Sequence, residues 1–322
     1  MRRAVQHLSQ GDLHKWILNG LNHHILATSH PLRALSLLWK MRNVRLNIYK
    51  WSPCWSDRWL WACEQTWQIP DVMPQSFFGN LCSIRVKSTL IYWPNSVPAD
   101  ELGWIHNEIF LPRWRNPYSY ESRQCRIHPH DLVLDVGACE GFFTLYAALH
   151  RQADVIAFEP VTNFIPSLQA TVDHHRLNNR VRILGCGLSH TDHDGWFENS
   201  DSPFEGRVSQ NTTGSAIKLR ALDSLVAEGL VPRADFIKMD VEGHEESVLR
   251  GAAKLIRRFQ PRLALAVYHT PTQGEEVKKA ILEIDPTYHF KFSGMWLRDL
   301  KAAPRPATLY AWPCSRPRNI HP

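Results

Sequence analysis

The sequence lacks several features that would assign a protein to a class at once. No stretch approaches the roughly 20 apolar residues that span a bilayer, and the residues after Met1 are too polar for a secretory signal. The seven cysteines are scattered and nowhere spaced as C-x-x-C, which argues against a zinc cluster or a disulfide framework. No internal repeat or low-complexity segment is present. These absences predict a cytoplasmic protein without a transmembrane segment.

The composition is that of a globular protein with an unusual N-terminal part. With 322 residues, 44% of them apolar, the chain can form one or two domains. Residues 1–130 hold 15 Lys and Arg against 8 Asp and Glu, and ten of the 13 tryptophans. Such a basic, aromatic segment could bind nucleic acid or an anionic membrane surface. Helically spaced tryptophans more often pack into their own domain, and we favour that interpretation.

Composition and hydrophobic pattern divide the chain into four parts. Residues 1–80 are predicted to be a helical, Trp-rich, basic extension, with helices over 13–26 and 31–41 and a break at Pro70 and Pro74. Residues 81–130 are predicted to hold a hairpin, with strands at 83–87 and 89–93, and a helix over 100–111. Residues 131–312 form the main domain, and 313–322 a tail.

The main domain alternates apolar runs of strand length with helical stretches, which is typical of a doubly wound α/β fold with a buried parallel sheet. Strands are predicted at 132–136, 155–158, 181–184, 236–239 and 263–268, with two more at 288–292 and 307–312. Helices are predicted at 141–150, 163–176, 245–259 and 273–284. The longer interval 190–234 is predicted to be an insertion with its own strand at 215–219.

The first strand runs into an acidic loop that contains two glycines. Gly137 and Gly141 allow the backbone to turn tightly and to approach a ligand. A dinucleotide fingerprint would need glycine at position 139, where this chain has Cys139. Asp135 and Glu140 suit the cationic amino and sulfonium groups of S-adenosylmethionine better than they suit a diphosphate. The loop therefore favours a methyl donor, although a plain strand–helix turn is the alternative.

The second strand ends in Glu159-Pro160. In an open parallel sheet this position lies beside the first loop, where a carboxylate can accept both hydroxyls of an adenosine ribose. Together the two features favour a nucleoside site over a structural turn, because each supplies the context that the other needs.

The fourth strand leads into a second polar loop, which contains Asp240, Glu242 and His244, and the next strand ends near His269. A general base for methyl transfer to a hydroxyl is one interpretation, with Asp240, His244 and His269 as candidates. The same cluster could hold Mg²⁺ through oxygen ligands, a question that the spacing leaves open. Helix capping is the alternative role of the acidic residues, and we assign it to Glu245 and Glu246.

Three stretches of this chain, within residues 82–312, resemble the FkbM-type methyltransferases: 135–143, 158–164 and 235–245, the last with the run K-x-D-V-E-G-x-E. The resemblance implies a class I methyltransferase sheet of seven strands, the last pair antiparallel. It also implies methylation of hydroxyls on sugars or polyketide-like natural products. Its donor-site roles carry onto Asp135, Gly137, Gly141 and Glu159, and its reaction-side motif onto Asp240 and Glu242.

The chain departs from the family in two places. Cys139 stands where the family usually has asparagine, so that a donor contact is lost or made by backbone alone. The Trp-rich extension lies outside the resemblance. By analogy of position, Leu188 and Ser189 lie near the adenine. We expect a glycan or small-molecule acceptor, and we keep two alternatives: a nucleic-acid methyltransferase that uses the basic aromatic N-terminus, and a binding module without turnover.

Overall fold

The computed structural model describes residues 35, 37–38, 54–198, 206–209, 214–297 and 304–314. The strands, numbered in chain order, are β1 (Val72–Phe78), β2 (Leu81–Val86), β3 (Thr89–Pro94), β4 (Leu132–Val136), β5 (Asp154–Phe158), β6 (Val181–Leu184), β7 (Gly187–Leu188), β8 (His193–Glu198), β9 (Arg207–Ser209), β10 (Ser215–Arg220), β11 (Phe236–Met239), β12 (Arg262–Ala266), β13 (Tyr288–Trp296) and β14 (Arg305–Pro313). The helices are α1 (Trp55–Glu64), α2 (Leu102–Phe110), α3 (Phe142–Leu145), α4 (Ile165–His174), α5 (Leu222–Ala227), α6 (Glu245–Gly251), α7 (Ala253–Phe259) and α8 (Gln273–Ile284).

A seven-stranded sheet in the order β13-β14-β12-β11-β4-β5-β6 forms the centre of the protein. Each strand runs parallel to its neighbours except β14, which is antiparallel to both β12 and β13. This is the class I methyltransferase arrangement, so the predicted fold and its antiparallel last pair are confirmed. The order also brings the loops after β4, β5, β11 and β12 to one edge of the sheet, where ligands of such folds bind.

The central strands are covered on both faces, as their continuous apolar sequences predict. Leu134 of β4 and Ile237 of β11 pack into one core, with the helices α5 to α8 around it. Val133 and Phe236, which point to the opposite face, pack into a second core with residues of β2, β3 and α2. The segment before residue 131 therefore completes the hydrophobic core of the main sheet.

Several predicted element boundaries differ from those in the structure. The helix expected over 141–150 ends at Leu145 and continues as a π-helical turn, Tyr146–His150. The helix expected over 245–259 is interrupted at Ala252, and the strand expected over 263–268 covers Arg262–Ala266. The long interval carries three strands that join β7 in a separate sheet, in the order β7-β10-β8-β9.

The N-terminal part also differs from its prediction. Residues 72–78, expected in the helical extension with a break at Pro74, form β1, which pairs with β2 through an irregularity between Pro74 and Ser76. Such a position at the edge of a sheet tolerates proline. The hairpin β2–β3 and the helix α2 lie close to their predicted positions. The helix expected over 13–26 lies outside the described residues.

The tryptophans divide between core and surface. Trp61, Trp67 and Trp93 are buried, whereas Trp55 is exposed. Trp51 lies outside the described residues. Within the described part of the chain, no helix is both long and apolar enough to cross a bilayer.

Candidate functional site

A cavity of about 720 Å³ opens at the carboxyl edge of the central sheet. Nine of the residues singled out from the sequence line it: Gly137, Glu140, Glu159, Pro160, Leu188, Asp240, Glu242, His244 and His269. Asp135, Gly141 and Ser189 do not line it. The cavity thus joins the two loops in which the sequence placed donor binding and reaction chemistry.

The loop after β4 is shaped by its first glycine. Gly137 has φ of 82°, and a Cβ atom there would lie 2.1 Å from the carbonyl oxygen of Asp240. Only glycine fits, because any side chain would separate the two loops that form the cavity. Cys139 also has a positive φ, 41°, which is unusual for a residue other than glycine or asparagine.

Asp135, the residue two positions before Gly137, makes its contacts inside the protein. Its carboxylate is fully buried, accepts a hydrogen bond of 2.6 Å from Thr144 Oγ1 and lies 3.2 Å from Lys238 Nζ. Asp135 therefore does not line the cavity, and its part in donor binding stays a prediction. Because β4 is covered on both faces, a carboxylate at this position requires a buried partner, and the partner is the residue opposite it in β11.

Glu159 is held by both loops that flank it. Its Oε2 accepts the backbone N–H of Cys139 and its Oε1 accepts that of Val161, each at 2.8 Å. Each carboxylate oxygen has a further lone pair available for a ligand. Burial raises the pKa of Glu159 to about 7 despite these hydrogen bonds. The carboxylate forms no ion pair among the described residues, so this edge of the cavity remains accessible to a nucleoside.

Glu140 adds a second buried carboxyl group to the donor side. Burial raises its pKa to about 7, although Lys238 and two backbone N–H groups act in the opposite direction. With Glu159 it makes this part of the cavity acidic, which favours a cationic ligand.

At the other end of the cavity, three side chains converge. His269 Nε2 lies 3.3 Å from Asp240 Oδ1 and 3.5 Å from Glu242 Oε2. Tyr120 donates its hydroxyl hydrogen to Asp240 Oδ2 at 2.7 Å. Glu242 and Gly243 both have positive φ, 54° and 94°, so the loop bends sharply and returns the Glu242 carboxylate toward His269.

The charges of this cluster are mutually stabilised. Burial favours neutral Asp240, but its pairing with His269, together with Lys238 and Tyr120, lowers the pKa of Asp240 to about 2. Burial likewise opposes a charged His269, but Asp240, Glu242 and Glu245 raise its pKa well above the usual value. At neutral pH these shifts favour an imidazolium between carboxylates.

Glu245, assigned to helix capping, lies in the first turn of α6, but α6 has no side-chain cap hydrogen bond. Its Oε1 instead accepts the backbone N–H of Val241, in the loop before the helix, at 3.1 Å. The side chain is also fully buried, lies 3.6 Å from His269 Nδ1 and accepts a hydrogen bond from Gln273. Glu246 instead pairs with Arg250 at the helix surface.

His244 is separated from this cluster by its contacts. Its Nε2 lies 3.2 Å from the hydroxyl of Ser189, which lies 3.1 Å from Ser247 Oγ. Ser189 is buried behind Leu188, and only Leu188 of that pair reaches the cavity. The geometry therefore places His244 beside the β7 strand and does not bring it together with Asp240.

Several residues of the cavity had no assigned role from the sequence. Lys238, with Nζ 2.6 Å from the carbonyl oxygen of Gly137, joins the two loops, and a lysine inside an apolar strand was the signal for it. Tyr120 had no such signal, because its segment is irregular. The far wall is aromatic and is formed by Trp104, Tyr118, Tyr268 and Trp296. Tyr268 and Trp296 stack with centroids 6.2 Å apart and planes inclined by 9°.

Comparison with known families now gives these features a context. Residues 135–297, just over half of the chain, match the model of the methyltransferase FkbM domain. The chain belongs to the FkbM methyltransferase family. The matched region contains both loops, Glu159 and His269, and the family implies S-adenosylmethionine as the methyl donor.

Individual proteins are similar to this chain over only part of their length. The chain is 32% identical over 154 residues to the hexuronic acid methyltransferase AglP of Haloferax volcanii, covering 48% of this chain and 62% of the relative. It is 37% identical over 86 residues to the 31-O-demethyl-FK506 methyltransferase FkbM of Streptomyces tacrolimicus, covering 26% and 31%. The crystal structure of an FkbM methyltransferase from Methylobacillus flagellatus KT aligns with a TM-score of 0.47 at 23% identity, over 64% of this chain and 48% of that one. The chain thus spans less than two thirds of the length of these relatives.

Proposed function

We propose that the protein transfers the methyl group of S-adenosylmethionine to a hydroxyl group of a glycan or a small metabolite. The observation that carries this proposal is one cavity with Glu159 at one end and the Asp240–His269 pair at the other. Glu159 is suited to binding a nucleoside, and the Asp240–His269 pair is suited to a reacting hydroxyl.

The donor side supports S-adenosylmethionine by shape and charge. Glu159 can accept both ribose hydroxyls while the N–H groups of Cys139 and Val161 fix its orientation. Pro160 and Leu188 supply apolar surface for the adenine, and Glu140 supplies negative charge for the amino and sulfonium groups. A side chain at position 137 would disturb this arrangement, because the backbones of the loops after β4 and β11 meet at Gly137.

The reaction side supports transfer to oxygen. Methyl transfer is an in-line displacement in which an O–C bond forms while the S–C bond breaks, and the enzyme mainly aligns the two reactants. The hydroxyl proton needs an acceptor, and Asp240 lies at the cavity with its orientation fixed by Tyr120. His269 holds the other carboxylate oxygen in place, so we assign it a positioning role beside Asp240.

The acceptor class is inferred from the aromatic wall and from the relatives. The aromatic side chains that line the cavity supply apolar surface against which a sugar or another partly apolar ring can pack. The names of two relatives refer to a hexuronic acid and to the FK506 natural product, which are of this kind.

The test is transfer of tritiated methyl groups from S-adenosylmethionine to a panel of free sugars, uronic acids, glycosides and phenolic or polyketide alcohols. Products are then treated with mild alkali. Label that resists alkali is an ether and shows methylation of a hydroxyl, whereas label released as methanol is an ester and would contradict this acceptor chemistry. Asp240→Asn should reduce turnover by at least about 100-fold with little change in donor binding. A variant with nearly normal turnover would remove the catalytic role of Asp240.

A further inference from the structure

The strongest unexplained feature of the cavity is a pair of polar atoms that face each other without forming a hydrogen bond. Asp240 Oδ1 and His269 Nε2 are both buried and have no hydrogen-bond partner. They lie 3.3 Å apart, and the His269 side chain is only 9% exposed. The charge attraction between them offsets part of the cost of burial, but neither atom makes a hydrogen bond, which points to a ligand that both atoms can bind.

A third ligand atom lies beside them. The oxygen Oε2 of Glu242 is 3.5 Å from His269 Nε2, and one atom each of Asp240, Glu242 and His269 lie within 4.8 Å of one another. Around a cation that binds its ligands at about 2.1 Å with octahedral geometry, adjacent ligand atoms are separated by about 3 Å. The two distances from His269 Nε2, 3.3 Å and 3.5 Å, need only a small contraction to reach that geometry.

The residues behind His269 orient it as a metal ligand. Nδ1 lies 3.6 Å from the buried carboxylate of Glu245, while Nε2 faces the other two ligands. Gln273 accepts a hydrogen bond from the backbone N–H of His269 and donates one to Glu245, so the carboxylate is itself held in place. A carboxylate behind the second ring nitrogen is the usual companion of a metal-binding histidine.

We propose that Asp240, Glu242 and His269 form a binding site for one divalent cation of the Mg²⁺ or Mn²⁺ class. Two carboxylates and one imidazole suit such a cation, and the adjoining cavity leaves room for further oxygen ligands. Binding is a property of these residues alone. Only its role rests on the proposed function: a hydroxyl bound to the cation is more acidic and is held in a fixed position.

The test is titration of the full, chelator-treated protein with Mn²⁺, followed by electron paramagnetic resonance of the free ion. We expect one bound ion per chain and at least tenfold weaker binding in Glu242→Gln. That side chain lies on a loop and is 27% exposed, so its replacement should leave the fold intact. Glu246→Gln, which removes a carboxylate of the neighbouring helix outside the cavity, is the matched control and should bind Mn²⁺ as the unaltered protein does.

Two results would overturn the site: no uptake of Mn²⁺ at millimolar concentration, or equal uptake by the unaltered protein and by Glu242→Gln. Binding of S-adenosylhomocysteine by Glu242→Gln serves as the check on folding. The result is also separable from the proposed function. Full methyl transfer in excess EDTA would overturn the role of the cation in the reaction and leave the proposed function standing. Mn²⁺ binding without any methyl transfer would leave the cation site standing and count against the proposed function.

Discussion

Glu159 accepts a hydrogen bond from the backbone N–H of Cys139, with 2.8 Å between nitrogen and oxygen. The contact joins the loops after β4 and β5 and uses no side-chain atom of Cys139. Position 139 therefore holds Glu159 through its backbone rather than through its side chain.

The first prediction follows from this contact. Cys139→Asn should keep the affinity for S-adenosylhomocysteine within about threefold, since asparagine also tolerates the left-handed backbone at this position. Glu159→Ala should weaken binding at least about tenfold, because hydrogen bonds to a charged group each contribute roughly 1.5–3 kcal/mol. Isothermal titration of both variants with S-adenosylhomocysteine measures the two affinities. Equal affinities for the two would remove Glu159 from the donor site.

Donor binding should depend on pH. The pKa values of Glu159 and Glu140 are both raised to about 7 by burial, and the ligand prefers the ionised carboxylates. Protonation as the pH falls from 8 to 6 reduces the ionised fraction of each from about nine-tenths to about one-tenth, so the Kd should rise about tenfold or more. Glu159→Gln and Glu140→Gln should each make this dependence shallower. A Kd that is equal at pH 6 and pH 8 would contradict the assignment.

Lys238 should be essential for stability because it neutralises the buried Asp135. Lys238→Met leaves that carboxylate without its partner and should lower the free energy of unfolding by about 3–5 kcal/mol. The double variant with Asp135→Asn should recover part of the loss. Lys278→Met, at an exposed surface pair, is the control and should change stability by less than about 0.5 kcal/mol. Denaturant unfolding measures all four proteins, and similar losses for Lys238→Met and Lys278→Met would exclude a structural role of the ion pair.

Two glycines allow a matched test of the loop after β4. Gly137 and Gly79 both have left-handed backbone, but a Cβ at Gly79 has no atom within 4 Å, whereas at Gly137 it would collide with the Asp240 carbonyl. Gly79→Ala should therefore lose only about 1 kcal/mol of backbone preference. Gly137→Ala should lose more stability and most of its donor affinity, as measured by thermal unfolding with and without S-adenosylhomocysteine. Equal losses of stability and donor affinity in the two variants would mean that the loops after β4 and β11 can separate without cost.

The fold and half of the candidate site could be predicted from the sequence because their signals are local. The bounds of β4, β6, β11 and α8 match the predicted ranges, since continuous apolar runs and helical periodicity define them. Glu159 and Asp240 were identified because they directly follow the apolar strands β5 and β11. The strand β1 was missed because Pro74 and its exposed residues give no buried pattern.

The remaining part of the site depends on contacts between distant segments. Tyr120 and Asp240 are 120 residues apart in the chain, and nothing in the irregular segment around Tyr120 indicates that its hydroxyl reaches the loop after β11. The pairing of Asp135 with Lys238 likewise needs the register of β4 and β11, which a sequence pattern does not contain. The aromatic wall is assembled from α2, the segment after it, the segment after β12 and the end of β13, so its members share no common sequence motif.

The central claim is that the edge of the sheet between Gly137 and Glu159 binds a sulfonium nucleoside. Isothermal titration of the full chain with S-adenosylmethionine, S-adenosylhomocysteine and NAD⁺ tests it most directly. We predict one site per chain for the first two ligands, with a Kd below about 100 µM, or about −5.5 kcal/mol, and no binding of NAD⁺. Absence of heat with both S-adenosyl ligands, or preferential binding of NAD⁺, would contradict the account.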